Sequence, residues 1–188
     1  QPFEVVVAMR ERTAFPAALI DRLPNLKLIC TTGPNNAAID IEACKRRGIV
    51  VGGTDPGGVR HATAELTWGL ILALSRRILA EADSVRRGGW QSGLGVSLKG
   101  RTLGLIGLGR LGSEVAKIGR AFGMEIIAWS PNLTDERASD AGAVRVGKPE
   151  LFAEADVVSI HMVLSEATRE LVGPADLSRM KPTAFLVN

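Results

Sequence analysis

Cysteine is scarce in this sequence. The 188 residues include two cysteines, Cys30 and Cys44. The sequence has no second pair of cysteines, and no histidine lies near them at a spacing that would complete a metal site. This excludes a disulfide-stapled scaffold and a structural zinc site, so we predict no metal centre. Unpaired thiols are typical of a reducing compartment, and we therefore expect a cytoplasmic protein.

Long apolar runs are also missing. The most apolar stretch, Leu66–Leu74, is about nine residues long, far below the roughly 20 that span a bilayer. At the start, Gln1–Glu4 lacks both an initiating Met and basic residues, and Val5–Val7 is too short for the apolar core of a signal peptide. We expect no membrane partner, and a start that is cut rather than processed.

The chain has little excess charge of either sign. It has 23 Lys and Arg against 20 Asp and Glu, a net charge of +3. These charges are spread too evenly to form the basic stripe that a phosphate backbone requires, so nucleic acid is not an expected partner. A hydrophobic fraction of 46% and a charged fraction of 23% indicate a folded protein, with room for one domain or two incomplete ones.

Short apolar runs alternate with segments of helical period. This alternation predicts an α/β fold of parallel strands joined by crossover helices. A loop rich in glycine and proline at 52–58 sets a domain boundary near residue 60, giving domains 1–60 and 61–188. The predicted strands are 5–8, 27–31, 49–51, one within 101–107, 125–129, 156–160 and 184–187. The predicted helices are 16–23, 40–47, 62–86, 110–122, 134–141, 149–153 and 174–180.

One predicted helix is long and strongly apolar. From Ala62 to about Arg86, apolar residues recur on one face, and Gly88 and Gly89 then end the helix. The apolar positions are Leu66, Leu70, Ile71, Leu74 and Ile78. Such a face packs either in the core of its own chain, which the pattern slightly favours, or partly against a second subunit. Our hypothesis is a homodimer with this helix in the contact.

The sequence GLGRLG at 107–112 fits the Gly-x-Gly-x-x-Gly fingerprint of dinucleotide-binding proteins, with a strand before it and an amphipathic helix after it. In this setting Gly107 permits a tight turn, Gly109 leaves room for a pyrophosphate, and Gly112 allows close helix packing. Arg110 could add a charged contact to the anion. The alternative, glycines used for packing alone, is much less favoured in this context.

The acidic residue that usually completes this fingerprint, about 20 residues further on, is absent. Ser130 occupies that place, so no carboxylate repels a 2′-phosphate, yet no basic residue follows immediately to bind one. Arg137 lies further on, and a solvated helix residue and a phosphate ligand are equally good interpretations of it. The choice between NAD and NADP stays open, and we lean weakly to NAD.

Over nearly its whole length, the sequence resembles the D-isomer-specific 2-hydroxyacid dehydrogenases. The resemblance rests on Ala64–Thr67, on Leu103–Gly112, on Asp156–His161 with Thr168 downstream, and on Met180–Asn188. It implies a Rossmann-type, doubly wound parallel sheet, preceded by a truncated flavodoxin-like substrate domain. It also implies hydride transfer between a nicotinamide cofactor and a small D-2-hydroxy or 2-oxo acid of the glyoxylate or hydroxypyruvate type.

The resemblance further implies which residues contact the cofactor. They are Thr67 near the nicotinamide, Gly107, Gly109, Arg110, Leu111 and Gly112 at the pyrophosphate, Ser130 at the ribose, and His161 and Met162 along the adenosine, with Thr168 in the same segment. One departure is Val163, where the family usually has proline.

The resemblance implies that a glycine-rich loop holds the substrate carboxylate, and Thr32–Asn36 aligns with that loop. Pro34 has no N–H to donate, so either Asn35 and Asn36 supply donors or the substrate is held differently. Asparagine is also a common turn former, and for these two residues the interpretations are equally favoured. We expect His61, in a polar loop, to be a surface histidine rather than a catalytic base.

The resemblance places the family's catalytic arginine, glutamate and histidine in segments that would follow Asn188. We therefore predict no catalytic residue within this chain, which looks like a fragment. One alternative is a non-catalytic dinucleotide sensor or scaffold on the same fold, because fold does not fix function. Another is a dehydrogenase of a different Rossmann class, which would act on substrates without a carboxylate next to the reacting carbon.

Overall fold

A computed structural model describes residues 3–54 and 59–188, without the side chains of residues 59 and 60. The chain forms two compact units, Gln1–Val59 and Arg60–Asn188. Both are built on parallel sheets, which confirms the predicted α/β class. No helix in the described ranges is long and apolar enough to cross a membrane.

The first unit is a three-stranded parallel sheet in the order β1-β2-β3. Its elements are β1 (Val5–Ala8), α1 (Ala17–Asp21), β2 (Leu28–Thr31), α2 (Ile41–Arg46) and β3 (Val50–Gly53). Asp40 caps α2, because its carboxylate accepts a hydrogen bond from the Ala43 N–H at 2.8 Å. Both helices pack on one face of the sheet, where Ile20, Ile29 and Cys44 are fully buried.

The second unit is a five-stranded parallel sheet in the order β6-β5-β4-β7-β8. Its strands are β4 (Thr102–Ile106), β5 (Glu125–Trp129), β6 (Val144–Arg145), β7 (Val157–Ile160) and β8 (Phe185–Val187). Its helices are α3 (Val59–Ser75), α4 (Ile78–Arg86), α5 (Arg110–Ala121), α6 (Asp135–Asp140), α7 (Lys148–Glu154) and α8 (Pro174–Leu177). Two-residue β6 was not predicted, since so short a run has no readable period.

Helices cover both faces of this second sheet. On one face, Leu103 and Leu105 of β4 pack in a core that includes Trp68 of α3 and Val115 of α5. On the other face, Ile106 packs with Phe152 of α7. Successive side chains of a strand point to opposite faces, and both faces here are apolar, as a doubly wound sheet requires. The predicted Rossmann-type architecture is confirmed.

The prediction of one helix from Ala62 to Arg86 was wrong. The helix ends at Ser75, and α4 begins after Arg77, whose φ of +56° lies in the left-handed region. The Ser75 carbonyl accepts a hydrogen bond from the Val96 N–H at 2.7 Å, so a distant segment ends the helix. The apolar periodicity of a helix carries no information about such a contact with a distant segment.

The apolar face predicted for this helix is divided in the structure. Ile71 is fully buried in the second unit, together with Trp68. Leu66, Leu70 and Leu74, which follow one another at a spacing of four residues, are 64%, 41% and 43% exposed. Burial within the unit therefore accounts for only part of the apolar pattern.

Candidate dinucleotide-binding site

A cavity of about 470 Å³ lies at the carboxyl ends of β4, β5 and β7, and we call it the strand-end cavity. It is lined by residues 107–109 after β4, 130–132 after β5, and 161–163, 165, 167 and 168 after β7, with Arg137 of α6. The chain leaves β4 towards β5 and β6, and later crosses back to β7 on the other side of β4. Ligands of open α/β sheets bind at such a switch point.

The three motif glycines have different surroundings. Gly107 has a φ of +99°, and a Cβ there would lie 2.8 Å from the His161 carbonyl oxygen. A Cβ at Gly112 would overlap the carbonyl oxygen of Gly107, whereas one at Gly109 would meet nothing within 4 Å. Packing thus requires two of the glycines, and the third borders open space of the kind that a pyrophosphate needs.

Helix α5 begins at this open space. Gly109 is its N-cap residue, and the Ser113 N–H donates a hydrogen bond to the Gly109 carbonyl at 2.9 Å. The N–H groups of a helix's first turn have no intrahelical acceptor, and together with the helix dipole they attract an anion. Arg110 lines a neighbouring cavity of about 510 Å³, the helix-start cavity, which also contains Gly109 and Arg137. This donor set fits a dinucleotide diphosphate.

His161 forms part of the cavity wall after β7. Its backbone N–H donates a hydrogen bond to the Ile106 carbonyl at 2.8 Å, and its ring Nε2 lies 3.0 Å from the Ser159 hydroxyl. Burial lowers the pKa of His161 below its ordinary value, so the imidazole is neutral at pH 7. It therefore presents a hydrogen-bonding surface without a positive charge.

Thr168 closes the loop after β7. Its hydroxyl donates to the Val163 carbonyl at 2.6 Å and accepts from the Ser165 N–H at 2.8 Å. The loop therefore turns without the proline that the family pattern carries at position 163. These bonds hold Thr168 at the cavity wall.

Arg137 is the charged residue that sequence reasoning left undecided. It lies in α6, which starts soon after β5, and it lines both cavities. Its Nη1 donates a long hydrogen bond of 3.4 Å to the Asn132 carbonyl beside Ser130. Within the described chain, no carboxylate lines the strand-end cavity, and Arg137 brings a positive charge to its lining. In the sequence, the short connection between β5 and α6 was the feature that could have indicated that Arg137 lines this cavity.

The structure brings six of the predicted cofactor residues to the strand-end cavity: Gly107, Gly109, Ser130, His161, Met162 and Thr168. Arg110 lines the helix-start cavity, while Leu111 and Gly112 line neither. Thr67 lies elsewhere on α3, buried at 6% exposure, with its hydroxyl donating to the Thr63 carbonyl at 2.9 Å. Its contact with a nicotinamide stays a prediction.

The predicted substrate loop lies in the first unit. The Gly33 N–H donates to the Thr54 hydroxyl at 2.7 Å. Asn36 is buried, and its amide donates to the Arg10 carbonyl (2.6 Å) and to the Thr31 hydroxyl (3.0 Å). The Asn36 side chain is therefore engaged in holding the loop.

Asn35, in contrast, is exposed, and both asparagines line a cavity of about 350 Å³ within the first unit. Gly33 does not line this cavity. The substrate contacts of Gly33, Asn35 and Asn36 stay predictions. His61 is exposed, as we expected, but it lies in the first turns of α3 and not in the predicted polar loop.

Together, the fold and this site define a Rossmann-type dinucleotide-binding domain. Residues 68–188 match the model of the D-isomer-specific 2-hydroxyacid dehydrogenase NAD-binding domain. The chain therefore belongs to the D-isomer-specific 2-hydroxyacid dehydrogenase family, as its sequence motifs indicated.

The whole chain is 40% identical to a glyoxylate reductase of Aeropyrum pernix, of which it covers 61%. A solved phosphoglycerate oxidoreductase of Vibrio cholerae is 42% identical, with a TM-score of 0.89 over 99% of this chain and 60% of that one. A D-lactate dehydrogenase of Aquifex aeolicus, solved with NAD and lactic acid, is 31% identical with a TM-score of 0.82, over 98% of this chain and 56% of that one. This chain thus spans little more than half the length of these relatives.

Proposed function

We propose that this chain belongs to an oxidoreductase that transfers a hydride between a nicotinamide dinucleotide and a small D-2-hydroxy or 2-oxo acid. The observation that carries the proposal is the open backbone surface at Gly109, which lies at the sheet's switch point and at the start of α5. Bare amides and a missing Cβ at that place suit a diphosphate.

The residues of the second unit would bind and orient the cofactor. The N–H groups at the start of α5, with Arg110 beside them, would hold the diphosphate. Ser130 would contact the adenosine ribose, and neutral His161 with Met162 and Thr168 would form the wall along the adenosine. When bound, the nicotinamide ring supplies or accepts the hydride.

The substrate class is a further part of the proposal. Relatives named as glyoxylate reductases and as a hydroxypyruvate reductase are 34 to 40% identical to this chain. We therefore favour glyoxylate or hydroxypyruvate as the oxo acid, with the loop Gly33–Asn36 near its carboxylate.

The partner that we propose is a second copy of this chain. Leu66, Leu70 and Leu74 form an exposed apolar row on α3, and Leu79 of α4 is 76% exposed. Contiguous apolar surface of this kind is typical of protein interfaces. The free thiols of Cys30 and Cys44 agree with our proposal of a cytoplasmic location.

Replacing Gly109 tests the proposed function. Gly109→Val puts side-chain volume where the diphosphate would lie, and we expect loss of the fluorescence change on titration with NADH and with NADPH. Gly173→Val is the matched control, because Gly173 is also an N-cap residue in extended conformation with nothing within 4 Å of an added Cβ. Binding of either cofactor by Gly109→Val as tightly as wild type binds it would refute the site.

A screen with glyoxylate, hydroxypyruvate and pyruvate on the complete gene product tests the reaction. Reduction of one of these acids supports the enzyme. Cofactor binding without turnover of any of them would instead support the dinucleotide sensor, and turnover of substrates without the carboxylate would support another dehydrogenase class.

A further inference from the structure

We propose that the strand-end cavity selects NADP(H), and that Arg137 binds the 2′-phosphate of its adenosine ribose. This inference rests on the proposed dinucleotide binding and deepens it. It departs from the weak preference for NAD that the sequence suggested, and it depends on where the structure places Arg137.

The first step concerns the end of β5, where the adenosine ribose binds in Rossmann domains. An acidic side chain there accepts hydrogen bonds from the ribose hydroxyls, and its charge would repel a 2′-phosphate. Ser130, half-buried at this position, brings no such charge. The cavity can therefore accept a phosphate without having to neutralise a carboxylate.

Among the described residues, no acidic side chain lines the strand-end cavity. Asp135 in the first turn of α6 forms an ion pair with Arg145 at 3.3 Å. Glu114 and Asp140 line the helix-start cavity and do not line the strand-end cavity. Arg137 is thus the one Lys or Arg side chain among the described residues that line the strand-end cavity.

The second step concerns the positive charge itself. Within the described ranges, Arg137 forms no ion pair, whereas Arg145 and Arg101 each contact a carboxylate. Its contact across the β5–α6 connection is the 3.4 Å hydrogen bond to the Asn132 carbonyl. Most N–H donors of the Arg137 guanidinium are therefore available, and a guanidinium can donate two parallel hydrogen bonds to a pair of phosphate oxygens.

The third step combines the two positions. Arg137 and Ser130 line the same cavity, and Asn132, which contacts Arg137, lines it between them in sequence. A hydroxyl, an amide and a guanidinium together make a donor-rich set that suits a dianion better than a neutral hydroxyl. The geometry therefore points to the phosphorylated form of the cofactor.

The test is a matched titration of NADPH and NADH, followed by cofactor fluorescence, with 2′,5′-ADP and 5′-AMP as calorimetric probes of the adenosine end. We expect the protein to bind NADPH about tenfold or more tightly than NADH, the range that one charge-assisted contact supplies. Arg137→Ala should abolish this difference by weakening NADPH and 2′,5′-ADP, with NADH and 5′-AMP unchanged.

Two further variants make the test specific. Arg145→Ala removes a positive charge from the same region but outside the cavity, and it should bind both cofactors like wild type. Ser130→Asp should reverse the preference towards NADH, because its carboxylate repels the phosphate and accepts bonds from a free ribose.

Each contrary result has its own meaning. Equal or tighter binding of NADH by wild type overturns the inference and leaves the proposed function intact. Equal weakening of both cofactors in Arg137→Ala also overturns it, since that pattern indicates stacking on the adenine. Binding of neither cofactor refutes the proposed function itself.

Discussion

The backbone of Gly112 packs against the carbonyl oxygen of Gly107 so closely that a Cβ at position 112 would overlap that oxygen. This contact holds the start of α5 against the end of β4. The orientation of the turn, and hence of Gly109 between the two, depends on it. The shape of the turn around Gly109 is therefore set by backbone packing rather than by side-chain contacts.

We expect Gly112→Ala to lower the free energy of unfolding by about 1–3 kcal/mol, because the added methyl forces the turn apart. Urea denaturation measures the change. The matched control is Gly69→Ala in α3, where an added Cβ meets nothing within 4 Å. That variant should be stabilised by roughly 0.5–1 kcal/mol through the helix preference of alanine. Equal effects at both positions would contradict the packing argument.

Asp156 joins the amino ends of β4, β7 and β8. Its carboxylate accepts hydrogen bonds from the Thr102 N–H at 2.9 Å and from Lys181 at 3.1 Å. Burial acts to raise the pKa of Asp156, but these bonds and the charges of Lys181 and Arg101 outweigh it and hold the pKa below its ordinary value of 3.8. The ionised form therefore stabilises the fold above this value, and the contribution is lost as pH falls through the lower folded pKa.

Asp156→Asn should accordingly cost about 1–3 kcal/mol at pH 7, and the deficit should shrink as the pH approaches 3. Unfolding midpoints measured across that range test this. Asp135→Asn, at a side chain 79% exposed with one ion pair, should change stability by less than about 1 kcal/mol. A deficit for Asp156→Asn that does not change with pH would argue against the ionised carboxylate as its cause.

The buried imidazole of His161 should give the stability of the fold a second, separate pH dependence. Because burial lowers its pKa in the folded state, the unfolded chain takes up the proton first as pH falls below the ordinary 6.5. Stability should then decline with falling pH until the lower folded pKa is reached. His161→Gln should flatten the profile of unfolding free energy against pH over that interval.

The exposed leucines of α3 test the proposed dimer. Leu66→Glu and Leu70→Glu should convert a dimer into a monomer at micromolar concentration, because a buried unpaired carboxylate is costly at an interface. Light scattering after size exclusion measures the mass. Leu177→Glu, at a leucine of α8 that is 44% exposed, is the control and should leave the dimer intact. A wild-type monomer would refute the proposal directly.

The sequence predicted most elements to within one to three residues at each end. β1 at Val5–Ala8 and β5 at Glu125–Trp129 have the predicted bounds, and α2 has the predicted cap at Asp40. These features are local: a buried parallel strand is a short apolar run, and an N-cap is a single side chain with its own backbone. The predicted carboxyl ends of the strands then placed Gly107, Ser130 and His161 at one edge of the sheet.

Other features depend on segments distant in sequence. The break after Ser75 depends on a hydrogen bond from Val96, and the engagement of Asn36 depends on Arg10. No local pattern contains those partners. The same limit left Arg137 undecided, because whether a helix arginine points to solvent or to a cavity depends on how the helix packs.

By itself, the sequence determined the α/β class, the order of most elements and the glycine motif, since these follow from hydrophobic period and from the backbone freedom of glycine. Tertiary structure alone decided which glycine borders open space, which apolar residues of α3 are buried and that Arg137 lines the same cavity as Ser130. The physical reason is that burial and free volume are properties of several segments packed together, and each segment separately is compatible with more than one packing.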